Sequence, residues 1–519
     1  MKSLKASKTT KYLVNLLFWL SLSLGIVLRF SYLDTKVFWH DEIYTQLRVS
    51  GYKNTDPLNA RNHQILSKQD LLKFQTLSDR RNVMDTLSSL KGNAHVPLYY
   101  VLLRYWQQLW GSSIATVRTF SAIWGSLSLF GIYVLVKKLF KYEEVARITT
   151  SLAAVSPMMI RYSQDARPYS LWFFCGVVST YALLLALDKN SLRNWLLYAF
   201  SIVATCYTQL LSLYLYIGHA LYVLITKSTR FKTLVSYAIA SIVGVLLFLP
   251  WLLTVILPNL QSMQDQTAWL KIPMASGQLL REQIINLNHL FISIDFRNNT
   301  LSSYSFGILL AGLVIYSFYT LITQTAIVKW SMPLVLCLSS YVFLFQDFVL
   351  GGQRTRINQY FLFSYLAIFI AVGFMLGTKL ASSVKLQQKL YSVVYSSIII
   401  LALFTNIQTA SKPTWWGWSV FQADMAQIIN RSDNPLIISQ ERIGNIMPVV
   451  YRLNNDISSL KLDLEQQSLP EGTEKYENVF LLNPSDEVKS IYSRSSGRKL
   501  NLVYQYKEGF IEIELYKAN

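Results

Sequence analysis

Residues 12–44 read YLVNLLFWLSLSLGIVLRFSYLDTKVFWHDEIY, an apolar run followed at a short distance by an acidic pair. The run is long enough to cross a membrane as a helix, which takes about 20 residues. The pair, Asp41-Glu42, comes shortly after the point where the chain would leave the membrane. Carboxylates are poor membrane anchors in a basic chain, but they suit a catalytic base or a metal ligand that faces an anionic substrate.

The amino-acid composition is that of a membrane protein. Of the 519 residues, 52% are hydrophobic and 15% are charged, whereas a soluble domain has about 25% charged residues. The 48 Lys+Arg against 29 Asp+Glu give a net charge of +19. Much of this excess lies in short segments between apolar runs, which indicates membrane orientation and contact with anionic lipid headgroups. No nucleic-acid-binding motif accompanies the charge, so nucleic acid is not expected as a partner.

Apolar stretches of spanning length recur along most of the chain, and counting them predicts about eleven transmembrane helices. They lie near 12–30, 114–136, 145–160, 168–187, 192–208, 210–226, 233–257, 303–327, 329–346, 357–378 and 388–408. The cysteines Cys175, Cys206 and Cys337 fall inside these stretches or at their edges and lack CxxC spacing. Neither a disulfide framework nor a zinc site is therefore expected.

The basic residues of the short loops assign a side to each span. The lysine-rich N-terminus is predicted to be cytoplasmic and to lead into an uncleaved signal anchor. Loops placed on the same side carry Lys137, Lys138, Lys141, Arg147, Lys189, Arg193, Lys227, Arg230, Lys232, Lys379, Lys385 and Lys389. This assignment of sides requires that residues 97–111 do not cross the membrane. They are predicted to form an amphipathic helix at the outer membrane interface.

The chain is predicted to contain two domains. Residues 1–409 form a transmembrane domain whose extracytoplasmic first loop, 31–113, holds short helices starting near Asp34 and Ser67. Residues 410–519 form a small soluble extracytoplasmic domain, with a helix after Ser485. Its predicted strands are Leu436–Ser439, Asn478–Leu482, Leu502–Tyr506 and Phe510–Leu515. The expected fold class is an all-α polytopic membrane protein with a small C-terminal α/β domain. The tryptophans at 415–418 suit an interfacial belt or a carbohydrate-stacking surface.

Asp41 and Glu42 are predicted to start a helix, in which neighbouring side chains point about 100° apart. One carboxylate can then face a cavity while the other accepts a structural hydrogen bond. The alternative is an ordinary acidic helix start that interacts favourably with the helix dipole.

A second set of candidates lies in the short polar connection Arg161–Tyr169 between two apolar stretches. Two arginines flank Asp165 there, and they either neutralise it in a structural network or hold a phosphate, which guanidinium groups bind in a bidentate manner. Arg118, at the mouth of a span, is costly to bury and is expected to reach outward or pair with an anion. Arg356 adds positive charge on the same predicted face.

His95 is a further candidate, because it could join Asp41 and Asp165 in a divalent-metal site. No Gly-rich phosphate loop, G-x-S-x-G or HExxH sequence occurs, which argues against nucleotide-driven chemistry and against a serine or zinc hydrolase. An outer cavity that is acidic at one point and ringed by arginine instead suits transfer from a lipid-linked phosphate. A base would remove a proton from the acceptor hydroxyl, and cations would stabilise the departing phosphate.

Three segments resemble motifs of the polytopic GT-C glycosyltransferases. The resemblance is to the prokaryotic branch related to dolichyl-phosphate-mannose–protein mannosyltransferases and to the lipid A aminoarabinose transferase. The first segment is FWHDE at 38–42. The second comprises HVPLYY at 95–100, Gly111 and RTFSAIWG at 118–125. The third comprises SP at 156–157 and YSQDARPYS at 162–170. The first segment resembles the family's first-loop acidic motif. The second resembles the family pattern HPPLYY…G…RxxSAxxG, and the third resembles SP…YSQEARxYS.

The chain departs from the family pattern at three places. Asp165 stands where the family often has Glu, and Val96 replaces the first proline of the PP pair. A late RYxLP-like motif is recognisable only as QYFLF at 359–363, with its arginine displaced to Arg356.

The resemblance implies a glycosyltransferase that uses a polyprenyl-monophosphate sugar, acts on the outer face of the plasma membrane and inverts the anomeric carbon. It implies Asp41 as the catalytic carboxylate, acting as base or through a metal, with Glu42 in support and Asp165 as the second acidic residue. Arg167 and Arg118 would hold the lipid phosphate. Further expected binding residues are His95, Tyr162, Gln164 and Arg356.

The expected partners are membrane lipids, the lipid-linked sugar and an acceptor that is a protein, a lipid or an envelope glycan. The rival interpretations are a transporter or flippase of a lipid-linked glycan and a catalytically silent scaffold. Against transport, the sequence has no pair of Gly- or Pro-broken spans at corresponding places in two halves.

Overall fold

Long apolar segments form helices in a membrane because a helix pairs its own backbone N–H and C=O groups. The computed structural model describes residues 7–227, 229–295, 300–416, 419–454, 456–508 and 511–519. Its helices are α1 (Lys8–Phe30), α2 (His40–Val49), α3 (Asp56–Arg61), α4 (Lys68–Leu72), α5 (Val83–Ser89), α6 (Leu98–Trp110), α7 (Ile114–Phe140), α8 (Glu143–Val155), α9 (Pro157–Ser163), α10 (Tyr169–Asp188), α11 (Leu192–Cys206), α12 (Ser212–Lys227), α13 (Phe231–Trp251), α14 (Leu260–Gln266), α15 (Ser276–Phe291), α16 (Thr300–Gln324), α17 (Ile327–Leu350), α18 (Leu362–Leu380), α19 (Lys385–Ala410), α20 (Val420–Ile429), α21 (Ile443–Val450) and α22 (Asp486–Ser496).

Eight helical segments in the described part of the chain are long and apolar enough to cross a membrane. They are Lys8–Phe30, Ile114–Phe140, Tyr169–Asp188, Phe231–Gln266, Leu301–Gln324, Ile327–Leu350, Asn358–Leu380 and Lys385–Ala410. The protein is therefore a multi-pass membrane protein.

The other three predicted spans form shorter helices. Residues 145–160 are divided between α8 and α9 at Pro157, whose nitrogen cannot donate a helix hydrogen bond. Helices α11 and α12 have 15 and 16 residues, which at about 1.5 Å per residue falls short of a hydrocarbon core of about 30 Å. The apolar pattern therefore predicted the positions of these three segments correctly. Their helices are shorter than a membrane-spanning helix usually is.

The chain separates into two compact units. The helical unit comprises Met1–Leu33, Lys91–Tyr99 and Arg118–Ser411. The sheet unit comprises Asp34–Leu90, Tyr100–Val117 and Lys412–Asn519. Most of the first loop therefore groups with the C-terminal tail.

Among the eight candidate membrane-spanning segments, the one that contains α18 is the most buried, since its apolar stretch is fully enclosed. Glycines allow the close approach that this burial requires. A Cβ atom on Gly373 would collide with Thr149 of α8, and one on Gly25 of α1 would collide with the carbonyl of Ala154. Small residues at such crossings bring helix backbones together in membranes, where packing drives association.

The described residues of the sheet unit form six strands in the order β1-β3-β2-β4-β6-β5. They are β1 (Leu66–Ser67), β2 (Leu436–Ile438), β3 (Ser458–Leu460), β4 (Val479–Leu482), β5 (Leu500–Glu508) and β6 (Ile511–Ala518). Strand β2 is parallel to β3 and β4, and the remaining pairs are antiparallel. The four predicted strands are confirmed, although Phe510 lies outside the described residues. Strand β1 comes from the first loop and pairs Leu66 with Ser459.

Three predicted helix starts are confirmed and one is wrong; the confirmed ones include the start at Asp41-Glu42, where α2 begins. The Ser485 hydroxyl accepts a hydrogen bond from the Val488 N–H at the start of α22, and the Ser67 hydroxyl accepts one from the Asp70 backbone N–H at the start of α4. No helix begins near Asp34 in this described segment; α2 begins at His40. The Val37 N–H donates to the Pro413 carbonyl at 2.8 Å, which ties the preceding segment to the tail. Residues 97–111 do form a helix, α6, while Trp418 lies outside the described residues.

Candidate functional site

The polar connection between α9 and α10 is buried in the helical unit. Arg161, Asp165 and Arg167 are only 5%, 6% and 5% exposed, respectively. Burying charged side chains is costly unless hydrogen bonds and opposite charges compensate. A loop that keeps three of them is therefore a candidate site for function.

The end of α1 holds this loop in place. The Gln164 side-chain amide donates to the carbonyls of Leu28 at 2.7 Å and Ser31 at 2.9 Å. Arg29 donates to the Ser163 hydroxyl at 3.1 Å and to the carbonyl of Ala154 at 2.6 Å. Carbonyls at helix ends lack partners within their own helix, so these bonds complete two helix termini. Gln164, expected as a substrate-binding residue, is thus engaged with the backbone.

A chain of side-chain hydrogen bonds links two residues of the loop to the segment before α18. The Tyr162 hydroxyl donates to Gln359 Oε1 at 3.0 Å, and Gln359 Nε2 donates to the Tyr169 hydroxyl at 3.2 Å. Arg167 Nη2 also donates to the Tyr169 hydroxyl, at 3.4 Å. In the sequence, Gln359 belongs to the QYFLF segment, and no sequence pattern indicates its contact with the loop.

Replacing Gln359 by Leu is expected to lower the apparent Tm of the purified protein. The change removes the two hydrogen bonds that Gln359 makes to the Tyr162 and Tyr169 hydroxyls, at a cost of about 1–3 kcal/mol in total. The exposed Gln278 supplies the matched control, Gln278→Leu. Equal apparent Tm values for Gln359→Leu and the control would contradict a bridging role.

Ser121 connects two of the sequence motifs. Its hydroxyl lies 2.8 Å from the Tyr99 hydroxyl and donates to the Arg167 carbonyl at 3.5 Å. Arg118, one turn earlier on α7, is 3% exposed and donates to the Leu33 carbonyl at 2.7 Å. His95 is half-buried. The HVPLYY, RTFSA and YSQDARPYS segments therefore meet within the helical unit.

The late basic segment is partly neutralised. Arg354 pairs with Asp347 at 2.7 Å, and the Asp347 side chain is fully buried. Arg356 Nη1 donates to Gln353 Oε1 at 2.9 Å. Arg354 is therefore neutralised by Asp347, whereas Arg356, the expected binding residue, contacts a neutral amide.

Helix α2 of the sheet unit presents the acidic pair. Glu42 is fully buried, and its carboxylate accepts the Trp39 N–H at 3.3 Å. This bond satisfies a donor at the start of the helix. Asp41, on the preceding position, is half-buried. The prediction that one carboxylate accepts a structural hydrogen bond is confirmed, and Glu42 is that residue.

The same end of α2 contacts a polar network from the C-terminal tail. His40 Nδ1 lies 2.8 Å from Asn445 Oδ1, and Asn445 Nδ2 donates to Glu441 Oε2 at 2.7 Å. Asn483 Nδ2 donates to the other carboxylate oxygen of Glu441, also at 2.7 Å. Arg61 donates to the Glu441 carbonyl at 2.8 Å. Asn445, Glu441, Asn483 and Arg61 belong to none of the sequence motifs.

Burial shifts the pKa values of Arg61, Tyr44 and Tyr451 around α2. Burial lowers the pKa of Arg61 to about 10, while the charge of Glu441 acts in the opposite direction. Burial raises the pKa of Tyr451, and Glu42 adds to that shift. The pKa of Tyr44 is also raised, mainly by burial. Arg61 therefore stays positive and both phenols stay neutral.

Within the described residues, no group of three or more His, Cys, Asp and Glu side chains could hold a metal ion. The set of Asp41, His95 and Asp165 therefore lacks support as a metal site.

Comparison with known proteins points to one architecture. The family model "Dolichyl-phosphate-mannose-protein mannosyltransferase" matches residues 94–253. ArnT from Cupriavidus metallidurans in the apo state superposes with a TM-score of 0.55 at 12% identity, covering 98% of both chains. The chain has the GT-C fold.

Other GT-C structures agree with this assignment. ArnT bound to undecaprenyl phosphate gives a TM-score of 0.54 at 11% identity, covering 96% of this chain and 97% of ArnT. The Archaeoglobus fulgidus oligosaccharyltransferase gives 0.51 at 11% identity, covering 95% of this chain and 72% of the other. A search of curated proteins found no match. The resemblance inferred from the three motifs is confirmed at the level of the fold.

Proposed function

We propose that this GT-C protein is a membrane glycosyltransferase that moves a sugar from a polyprenyl monophosphate to an acceptor hydroxyl. The observation that carries the proposal is the buried loop at 161–170, in which Asp165 lies between two buried arginines. A structurally similar ArnT is described as bound to undecaprenyl phosphate. Guanidinium groups bind phosphate in a bidentate manner, so the loop suits the phosphate of such a lipid.

The proposed reaction is a single inverting displacement. The acceptor oxygen attacks the anomeric carbon, and the bond from that carbon to the phosphate oxygen breaks with its electron pair leaving on the phosphate. Asp41 takes the proton of the acceptor hydroxyl as general base. Arg167 and Arg118 stabilise the negative charge of the departing lipid phosphate.

Asp165 is proposed to orient the acceptor, and Tyr162 to contribute to donor binding through its hydroxyl. Glu42 supports Asp41 by fixing the first turn of α2, since it accepts the Trp39 N–H. His95 and Arg356 are proposed as outer parts of the lipid-phosphate site. Gln164, whose amide N–H groups donate to the Leu28 and Ser31 carbonyls, is proposed to support that site by positioning the loop. The acceptor class is a protein, a lipid or an envelope glycan.

The first experiment measures sugar transfer by the purified protein from a panel of undecaprenyl-phosphate sugars. Transfer or hydrolysis of one donor by wild type is the expected result, and it would identify the sugar. A protein that binds or moves the lipid without cleaving any donor would favour the transporter interpretation.

We further propose that the reaction takes place on the outer face of the plasma membrane, where the sheet unit also lies. A cysteine at the exposed Ser468 is then expected to react in intact cells with a membrane-impermeant maleimide. A cysteine at the exposed Ser383, in the short connection between α18 and α19 that Lys379 and Lys385 flank, should react only after permeabilisation. The reverse pattern would overturn the orientation and leave the chemistry untouched.

A further inference from the structure

The network behind His40 fixes the direction of each of its hydrogen bonds. Both carboxylate oxygens of Glu441 accept from amides, one from Asn445 and one from Asn483. A carboxylate has no proton to donate, so Asn445 must turn its NH₂ group toward Glu441. Its carbonyl oxygen then faces His40 Nδ1 at 2.8 Å, and an oxygen there can only accept.

His40 must therefore carry a proton on Nδ1. In the neutral imidazole, one ring nitrogen is a donor and the other is an acceptor. We infer that Glu441 and Asn445 are positioning residues that hold His40 as its Nδ1–H tautomer, leaving a lone pair on Nε2 to accept a hydrogen bond from a hydroxyl of the acceptor substrate. This inference rests on the proposed function only for the identity of that substrate.

The packing of α21 on α2 holds the His40 ring in one orientation. Gly444 lies so close that an added Cβ would come within 2.8 Å of His40 Nδ1 and 2.6 Å of the Tyr44 ring. The Tyr44 ring meets the His40 ring edge-on, with centroids 5.0 Å apart. The imidazole is thus held by a hydrogen bond on one edge and by an aromatic ring beside it, while its side chain remains half-exposed.

His40 is also adjacent to Asp41, the proposed general base. It directly precedes Asp41 at the start of α2, so a hydroxyl compound bound at this helix end can meet both side chains. Asp41 takes the proton of the attacking hydroxyl, whereas His40 accepts from a second hydroxyl. Carbohydrates and other polyhydroxyl acceptors supply such neighbouring groups.

The tautomer is tested without any substrate by ¹⁵N NMR of the full-length protein labelled at histidine ring nitrogens. The His40 signals are identified by their loss in His40→Gln. We expect a protonated Nδ1 and an unprotonated Nε2 in wild type. In Asn445→Ala, the Nε2–H form that imidazole prefers in water should replace it. The control Asn478→Ala removes an amide that donates to the Asp433 carbonyl in the same unit, and it should leave the signals unchanged.

An Nε2–H tautomer in wild type, or identical spectra for wild type and Asn445→Ala, would overturn the inference. Neither result depends on the enzymatic activity, so the failure of the inference is separable from that of the proposed function.

The role of Nε2 is tested with whichever undecaprenyl-phosphate sugar supports transfer. His40→Gln places an amide oxygen near the position of Nε2, whereas His40→Asn places its amide near Nδ1. We expect His40→Asn to raise the KM for the acceptor about tenfold more than His40→Gln does, because it loses the acceptor atom. The opposite order would show that His40 serves only to bind Asn445.

Discussion

Replacing Asp41 by Asn is expected to reduce sugar transfer by about 10²- to 10⁴-fold, the usual contribution of a positioned general base. An amide has nearly the same shape as the carboxylate but cannot take the acceptor proton. Asp41 is half-buried at the start of α2, and the helix end is satisfied by Glu42. The variant should therefore fold, with an apparent Tm close to that of wild type. Transfer rate per folded protein is the measurement.

Two further variants make this result specific. Asp34→Asn changes an exposed aspartate of the same loop and should keep wild-type activity. Glu42→Gln retains an oxygen that can accept the Trp39 N–H, so it should lose far less activity than Asp41→Asn. Full activity in Asp41→Asn would remove Asp41 from the mechanism and make Asp165 the leading candidate for the base.

Replacing Arg167 by Ala is expected to weaken binding of undecaprenyl phosphate by about 10- to 100-fold. Hydrogen bonds to charged groups contribute about 1.5–3 kcal/mol, which corresponds to this range. Arg167→Lys should recover part of the affinity, because an ammonium group keeps the charge but not the bidentate geometry. The dissociation constant of the lipid, measured with purified protein, is the readout.

The structural contacts of Arg167 require their own controls. Tyr169→Phe removes the hydroxyl to which Arg167 donates but keeps the guanidinium, and it should affect lipid binding less than Arg167→Ala does. Arg193→Ala changes an exposed arginine and should leave binding unchanged. Equal losses of donor and acceptor binding in Arg167→Ala would indicate that Arg167 belongs to a structural network instead.

Features set by neighbouring residues were predictable. The caps at Ser67 and Ser485 follow from a hydroxyl placed before a helix, and strands β2 and β4 follow from short apolar runs. The helix start before Asp41 was predicted within the FWHDE segment. Its structural consequence, a buried Glu42 that accepts the Trp39 N–H, also follows from local geometry because the two residues are one turn apart.

Features set by distant residues were not predictable from these patterns. Tyr162 and Gln359 are 197 positions apart, and His40 and Asn445 are 405 positions apart. The pairing of Leu66 with Ser459 also joins the first loop to the tail. Single polar contacts of this kind leave no periodicity in the sequence, because each depends on where two separately formed elements pack.

The sequence by itself determined the membrane class, most of the long helices, the local caps and the three motifs of the GT-C resemblance. These depend on hydrophobicity, helix periodicity and residue spacing, which act over a few turns of chain. Only the tertiary structure decided that Gln359 bridges Tyr162 and Tyr169, and that Glu441 and Asn445 fix the imidazole of His40. Such bonds form only after packing has excluded water and brought together side chains that the chain itself keeps far apart.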